Sequence, residues 1–121
     1  MAHKLRIQRR QAMWWRLPEG AVCIDRSTKW GNPFRVEDCI DLGIASTVGE
    51  ACVICRDAFR DWLVHGKDDT VASWGLQCDR LMELREWMLA NIDQLRGKKL
   101  ACFCRRNHPC HGDVLAELAN Q

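Results

Sequence analysis

With 121 residues, 47% of them apolar and 28% charged, the chain fits one globular domain with a core of its own, and its composition is too apolar for a disordered segment. No stretch approaches the roughly 20 apolar residues of a membrane helix, and the basic N-terminus leads into no signal-peptide run, so a cytoplasmic protein with no membrane partner is expected. The net charge of +2 is unevenly spread: up to Arg35 eight basic residues stand against Glu19 and Asp25, and from Val36 to Leu95 twelve acidic residues stand against five basic ones. Arg96, Lys98, Lys99, Arg105 and Arg106 then form a second cationic run.

Along the chain, Leu5 and Ile7 alternate with Lys4, Arg6 and Gln8, the period of a half-buried edge strand with a basic outer face. Pro18-Glu19-Gly20 is a turn signal, and Ala21-Val22-Cys23-Ile24 after it suits a short buried strand ending near Asp25. Arg26-Ser27-Thr28-Lys29-Trp30-Gly31-Asn32-Pro33-Phe34 carries the Gly, Asn and Pro of an irregular loop. From Glu50 to His65, Cys52, Cys55, Phe59, Trp62 and Leu63 recur at helical spacing up to Gly66. Leu81, Leu84, Met88, Ile92 and Leu95 draw a second stripe, over 76–95, which Gly97 closes. Leu100-Ala101-Cys102-Phe103-Cys104 is apolar on both faces, as in a central strand, and a last helix over 111–119 turns Val114, Leu115, Leu118 and Ala119 inward. This order gives a small single-domain α/β sandwich, a short sheet of about three or more strands covered by helices.

In such sheets ligands sit beyond the carboxyl ends of the strands. Two segments qualify: the loop from Arg26 to Arg35, and 105–113 after the central strand. If the two strands are parallel and adjacent, both segments face one crevice. If the two basic segments also meet, they make an anion-attracting face; the alternative is ordinary surface charge.

Eight cysteines without an export signal read as reduced thiols, some of them candidate metal ligands. Cys102, Cys104, Cys110 and His111, with His108 nearby, offer the thiolate and imidazole donors of zinc, and Cys102 and Cys104, two apart on a strand, share a face. Alternatively the two strand cysteines are small apolar core residues. Cys110 at a helix start, near Arg105 and Arg106, could be a thiolate nucleophile with His108 or His111 as base. The same features would hold a phosphate or carboxylate, with Gly112 allowing close approach and Asp113 complementing the dipole, orienting His111 or accepting a ligand hydroxyl. In the first loop, Trp30 beside Arg26, Ser27 and Lys29 suits a base with its phosphate, and Asn32 can donate and accept; equally, Trp30 and Phe34 could plug the core while Asn32 ties down the loop. Cys52 and Cys55 read as core packing. Trp14 and Trp15 suit either nucleobase stacking or one ring in the core and one on its rim.

The run from Arg26 to Phe34, Phe59-Arg60-Asp61-Trp62-Leu63, the segment from Leu95 to Cys104 and Cys110-His111-Gly112-Asp113-Val114-Leu115 together resemble the small bacterial and phage proteins grouped as Domain of Unknown Function family 4326. The resemblance covers Cys23 to Asn120 and leaves the basic segment 1–17 outside. It implies a whole-chain domain, a phage or mobile-element origin and a pairing of the Trp30–Phe34 loop with the Cys102–Asp113 segment; Phe103 departs from the tryptophan of the pattern. The leading expectation is a nucleotide- or phosphate-ligand-binding domain, with or without catalysis on a nucleotide or nucleic-acid-linked sugar. The alternative is a zinc-stabilised module that binds nucleic acid or a host protein through its basic end.

Overall fold

The computed structural model describes residues 6–10, 14–67, 69–104 and 108–121. Three strands, β1 (Arg6–Gln8), β2 (Ala21–Cys23) and β3 (Lys99–Cys102), form a parallel sheet in the order β1-β3-β2. Ile7 and Cys23 both lie level with Ala101, so β3 is the central strand, and the N-terminal segment supplies an edge. Leu100, Ala101 and Cys102 are all buried, as expected of a strand with apolar side chains on both faces.

Between β2 and β3 come α1 (Val36–Asp41), α2 (Val48–Leu63), α3 (Asp69–Ser73), α4 (Cys78–Asn91) and a 3-10 turn (Ile92–Leu95); α5 (His111–Ala119) closes the chain. The stripe on α2 forms because Ala51, Cys55, Ala58, Phe59, Trp62 and Leu63 recur every three or four residues and bury one face. Thr47 caps the start of α2, its Oγ1 accepting from Glu50 N at 3.2 Å, and Gly66, at φ +67°, turns the chain away after the end. The second stripe is split: α4 ends at Asn91 and tightens into the 3-10 turn before Gly97. Helix α5 has the expected bounds. Its C-terminus is tied to the turn before β3, where Arg96 Nε donates to Ala119 O at 2.9 Å and Gly97 N to Asn120 Oδ1 at 2.9 Å.

The core runs from Leu100 and Cys102 on the sheet through α2 and α5 to an aromatic cluster in which Phe34 meets Trp62 and Trp74 edge-on, at 6.1 and 5.4 Å between ring centroids. Among the described residues no helix is long and apolar enough to cross a membrane.

Two expectations are corrected here. The strand β1 does not present a basic outer face, because Arg6 is buried with its side chain only 3% exposed. Alternation alone would send it to solvent, but its guanidinium lies against the start of α5, 3.9 Å from Asp113 Oδ2 and beside Cys110. Of the second basic run, Arg105 and Arg106 lie outside the described residues. Lys98 and Lys99 are exposed at the start of β3, the sheet end opposite to the loop carrying Arg26 and Arg35. As for the tryptophan pair, Trp14 is exposed and Trp15 is half-buried under Arg9, so neither ring enters the core.

Candidate functional site

Beyond β2 the chain stays hydrogen-bonded to the central strand for one more residue, Ile24 N donating to Ala101 O at 2.8 Å, and then folds back on itself. Asp25 organises the turn. Its carboxylate accepts from Ser27 N at 2.9 Å, from the Ser27 hydroxyl and from the Arg9 guanidinium, and its carbonyl accepts from Thr28 N and Thr28 Oγ1, both at 2.9 Å. Burial works against the Asp25 charge, but the bonds from Ser27 and Arg9 outweigh it and hold the carboxyl below its ordinary range. Gly31 then passes so close that a Cβ on it would stand 2.6 Å from Arg26 Cα. Asn32 pins the end of the loop, donating to Cys55 O at 3.1 Å while its Oδ1 accepts from Phe34 N at 2.9 Å.

The second segment starts at Cys102 and ends in α5. Cys110 is the N-cap of α5, its Sγ accepting from Gly112 N at 3.4 Å, and the Asp113 carboxylate accepts from Cys110 N at 3.4 Å. His111 is buried, with Nε2 2.8 Å from Ile24 O. A carbonyl can only accept, so Nε2 carries the proton, and Nδ1 faces Cys110 Sγ at 3.5 Å. Burial opposes a charge on His111, but the Cys110 thiolate and the carbonyls of Ile24 and Trp30 raise its pKa all the same. The two loops therefore meet through His111, which reaches the backbone of both Ile24 and Trp30.

Three sulfurs gather at this junction. Cys102 Sγ is 3.3 Å from Cys110 Sγ, and the Sγ atoms of Cys102, Cys104 and Cys110 all lie within 4.8 Å of one another, a group that could hold a metal ion. Hydrogen bonds from Cys102 and Cys104 pull the Cys110 thiol far down against the cost of burial, and His111 adds to this. A hydrogen bond with Cys104 lowers Cys102, but its bond to Cys110 and burial prevail and push it up to about 12; Cys104 is driven up chiefly by its hydrogen bonds to Cys102 and Cys110. The three sulfurs thus titrate as one coupled group, in which Cys110 most readily takes the negative charge. The buried guanidinium of Arg6 balances it, its own pKa raised by the Cys110 charge despite burial.

A cavity of about 310 Å³ opens beside this junction, past the carboxyl end of the sheet. Asp25, Arg26, Ser27 and Asn32 line it from the first loop, and Cys102, Phe103, Cys104, Pro109 and His111 from the second. Cys52, Cys55 and Arg56 of α2 complete the wall with Phe34, Arg35, Val36 and Glu37. Arg26 Nη1 and Arg35 Nε each donate to Glu37 Oε2 at 3.1 Å on the exposed rim.

The residues expected to act together are divided by this geometry. Arg26, Ser27, Asn32, Cys102, Cys104 and His111 line one cavity. Trp30 does not: its ring is buried against Trp87 at 4.8 Å between centroids, with Lys29 Nζ 5.0 Å from the centroid of the Trp87 ring. In the turn from Cys110 to Asp113 the N–H groups of Gly112, Asp113 and Cys110 already bond to Cys110 Sγ, to Cys110 O and to the Asp113 carboxylate, which leaves little of an anion cradle there. Gly112 serves packing, as a Cβ there would stand 2.7 Å from Ile24 Cδ1. The Cys110 sulfur lies behind Cys102 and is 2% exposed as a residue, which denies it the open approach of a nucleophile. Arg105 and Arg106 lie outside the described residues. Cys52, read as core packing, is instead a half-buried cavity residue with its Sγ 3.9 Å from His108 Nδ1. Sequence reasoning passed over Arg6, Asp25 and Arg56. Only Asp25 carried a local signal, an acid two residues before a serine at a strand end.

A family model described as Domain of unknown function (DUF4326) matches residues 7–121. The match takes in Ile7 and Gln8 of β1 and the stretch up to Leu17, which lie outside the resemblance drawn from the motifs. No curated protein and no solved structure matches.

Proposed function

The chain belongs to the family described as Domain of unknown function (DUF4326), a description that carries no activity, and we propose from the site alone that it is a nucleotide-binding domain. The observation that carries this reading is the cavity of about 310 Å³ that the two loops share at the carboxyl end of a parallel sheet. Its apolar wall of Phe34, Val36, Phe103 and Pro109 suits a flat heterocycle, whose edge Asn32 and Ser27 can address with hydrogen bonds. Arg26, Arg35 and Arg56 stand where a phosphate would meet solvent. On this reading phosphate recognition falls to side chains of the first loop and α2 instead of the start of α5. Asp25 is a buried carboxylate of the wall that Ser27 and Arg9 hold below its ordinary range, so on this reading it shapes the loop and does not act as the general acid or base of a reaction on a nucleotide or nucleic-acid-linked sugar. Reduced thiols fit a cytoplasmic setting.

Thermal unfolding in the presence of mono- and dinucleotides tests this. At least one nucleotide should raise Tm in a saturable way, and Arg56→Ala should weaken that rise by about tenfold in Kd, the worth of one charged hydrogen bond. A panel in which none shifts Tm overturns the reading.

The thiol cluster favours a second reading, a zinc-stabilised module that docks on nucleic acid or a host protein. Three thiolates are a zinc donor set. It predicts about one equivalent of zinc per chain by elemental analysis, and nucleic-acid binding that weakens steeply with salt. Metal-free protein that binds no nucleic acid at low salt removes it.

A further inference from the structure

The cavity and the thiol cluster share two residues, Cys102 and Cys104, which line the one and belong to the other. We infer that they form one site: a divalent metal held by Cys102, Cys104 and Cys110, with its fourth coordination position open to the cavity and available to a donor atom of the bound ligand or to water. The inference rests on the zinc reading above and changes its meaning, from a structural staple to a centre that takes part in ligand binding.

The distances suit such a centre. Thiolates about 2.3 Å from a tetrahedral zinc stand about 3.8 Å from one another. The Cys102–Cys110 separation is 3.3 Å, and all three sulfurs fall within 4.8 Å, so side-chain rotation alone would bring them to ligating positions. No fourth donor of this chain joins the group among the described residues. His111, the ligand expected from sequence, is engaged elsewhere, with Nε2 on Ile24 O at 2.8 Å. Its Nδ1 lies 3.5 Å from Cys110 Sγ, which makes it a support behind a ligand. His108 turns toward Cys52, 3.9 Å away.

Orientation and charge agree with this. Cys110 is held from behind by Gly112 N and flanked by Arg6, while Cys102 and Cys104 present their side of the cluster to the cavity, so the uncoordinated side of the ion faces the same way. Three thiolates on a divalent ion leave one negative charge, which the buried Arg6 offsets without occupying a coordination position. Closed structural zinc sites have four protein ligands, whereas sites that bind or transform a ligand have three and an opening.

Cobalt(II) gives a direct readout. Chelator-treated protein titrated with one equivalent of cobalt(II) should develop thiolate charge-transfer and tetrahedral d–d absorption, and azide should then shift the d–d bands in a saturable way. Cys104→Ser, at a half-buried position, should keep the wild-type circular dichroism and weaken cobalt binding at least tenfold. Cobalt spectra that azide leaves unchanged and that His108→Ala or Cys52→Ala alters would show a closed four-ligand centre and overturn the inference, as would failure to bind stoichiometric cobalt. Azide does not depend on nucleotide recognition. A cobalt centre that takes azide in a protein whose Tm no nucleotide raises would therefore uphold the open metal and reject the nucleotide, and the converse result would do the opposite.

Discussion

Gly31 and Gly112 both lack room for a side chain, but what blocks them differs. At Gly31 the obstacle is backbone: a Cβ would lie 2.6 Å from Arg26 Cα and 3.0 Å from Asp25 O, atoms fixed by the turn that positions the cavity wall. At Gly112 the nearest atom is the tip of Ile24, 2.7 Å away, which a rotamer change can withdraw. Gly31→Ala should therefore cost about 3 kcal/mol in denaturant unfolding, and Gly112→Ala about 1 kcal/mol. Equal costs would mean that the loop yields as easily as a methyl group. Asp25 adds a pH dependence. Its folded pKa lies below the unfolded value of about 3.9, so its bonds to Ser27 and Arg9 stabilise the protein fully above that value, and the contribution is lost as pH falls through the lower, folded pKa. The stability advantage of the native chain over Asp25→Asn should be constant near neutrality and shrink below about pH 4. An advantage that persists unchanged to pH 2 would show that Asp25 acts only through its shape.

At the scale of elements, what could be read from the sequence depended on length. Helices α2 and α5 bury enough periodic positions to declare themselves, and the apolar run from Leu100 to Cys104 marks β3, although the strand takes in Lys99 and ends at Cys102, so Cys104 lies past it. Helices α1 and α3, of six and five residues, are too short for a period to show, and Thr70 and Val71 of α3 carry no helical preference. Convergence of the two loops followed from parallel β2 and β3 being neighbours, and the structure has that arrangement. Which side chains face the cavity did not follow. Trp30 was legible as a loop aromatic, yet its ring packs on Trp87 of α4, a partner distant in sequence that no local pattern encodes. Arg6 misled because alternation assigns faces by polarity, while a guanidinium becomes stable inside when a thiolate and a carboxylate wait there. The thiol cluster was half legible. Spacing placed Cys102 and Cys104 together, but Cys110 joins them only because α5 starts beneath the end of β3.

For the whole molecule, the cluster is where the ends of the chain are joined. Arg6 comes from the first strand, Cys102 from the last and Cys110 from the final helix, and these elements touch across the full length of the sequence. Helix α5 is anchored at its other end by Arg96 and Asn120, and on its flank by Arg60, whose Nη2 lies 3.1 Å from Glu117 Oε2. With its C-terminal end already fixed, the start of α5 depends on the sulfur junction, so a metal bound there would act on global stability and not on one loop. By mass action, free zinc at a hundred times its Kd adds about 2.7 kcal/mol, which for a chain of this length raises Tm by roughly 10 °C over the chelated protein. The rise should grow with the logarithm of zinc concentration and, at the same zinc concentration, fall by about half or more in Cys104→Ser. A Tm that stays the same in chelator and in excess zinc would mean that Cys102, Cys104 and Cys110 pack as hydrogen-bonded core residues, and that the start of α5 is held without a metal, by contacts such as those of Arg6 with Asp113 and of His111 with Ile24 O.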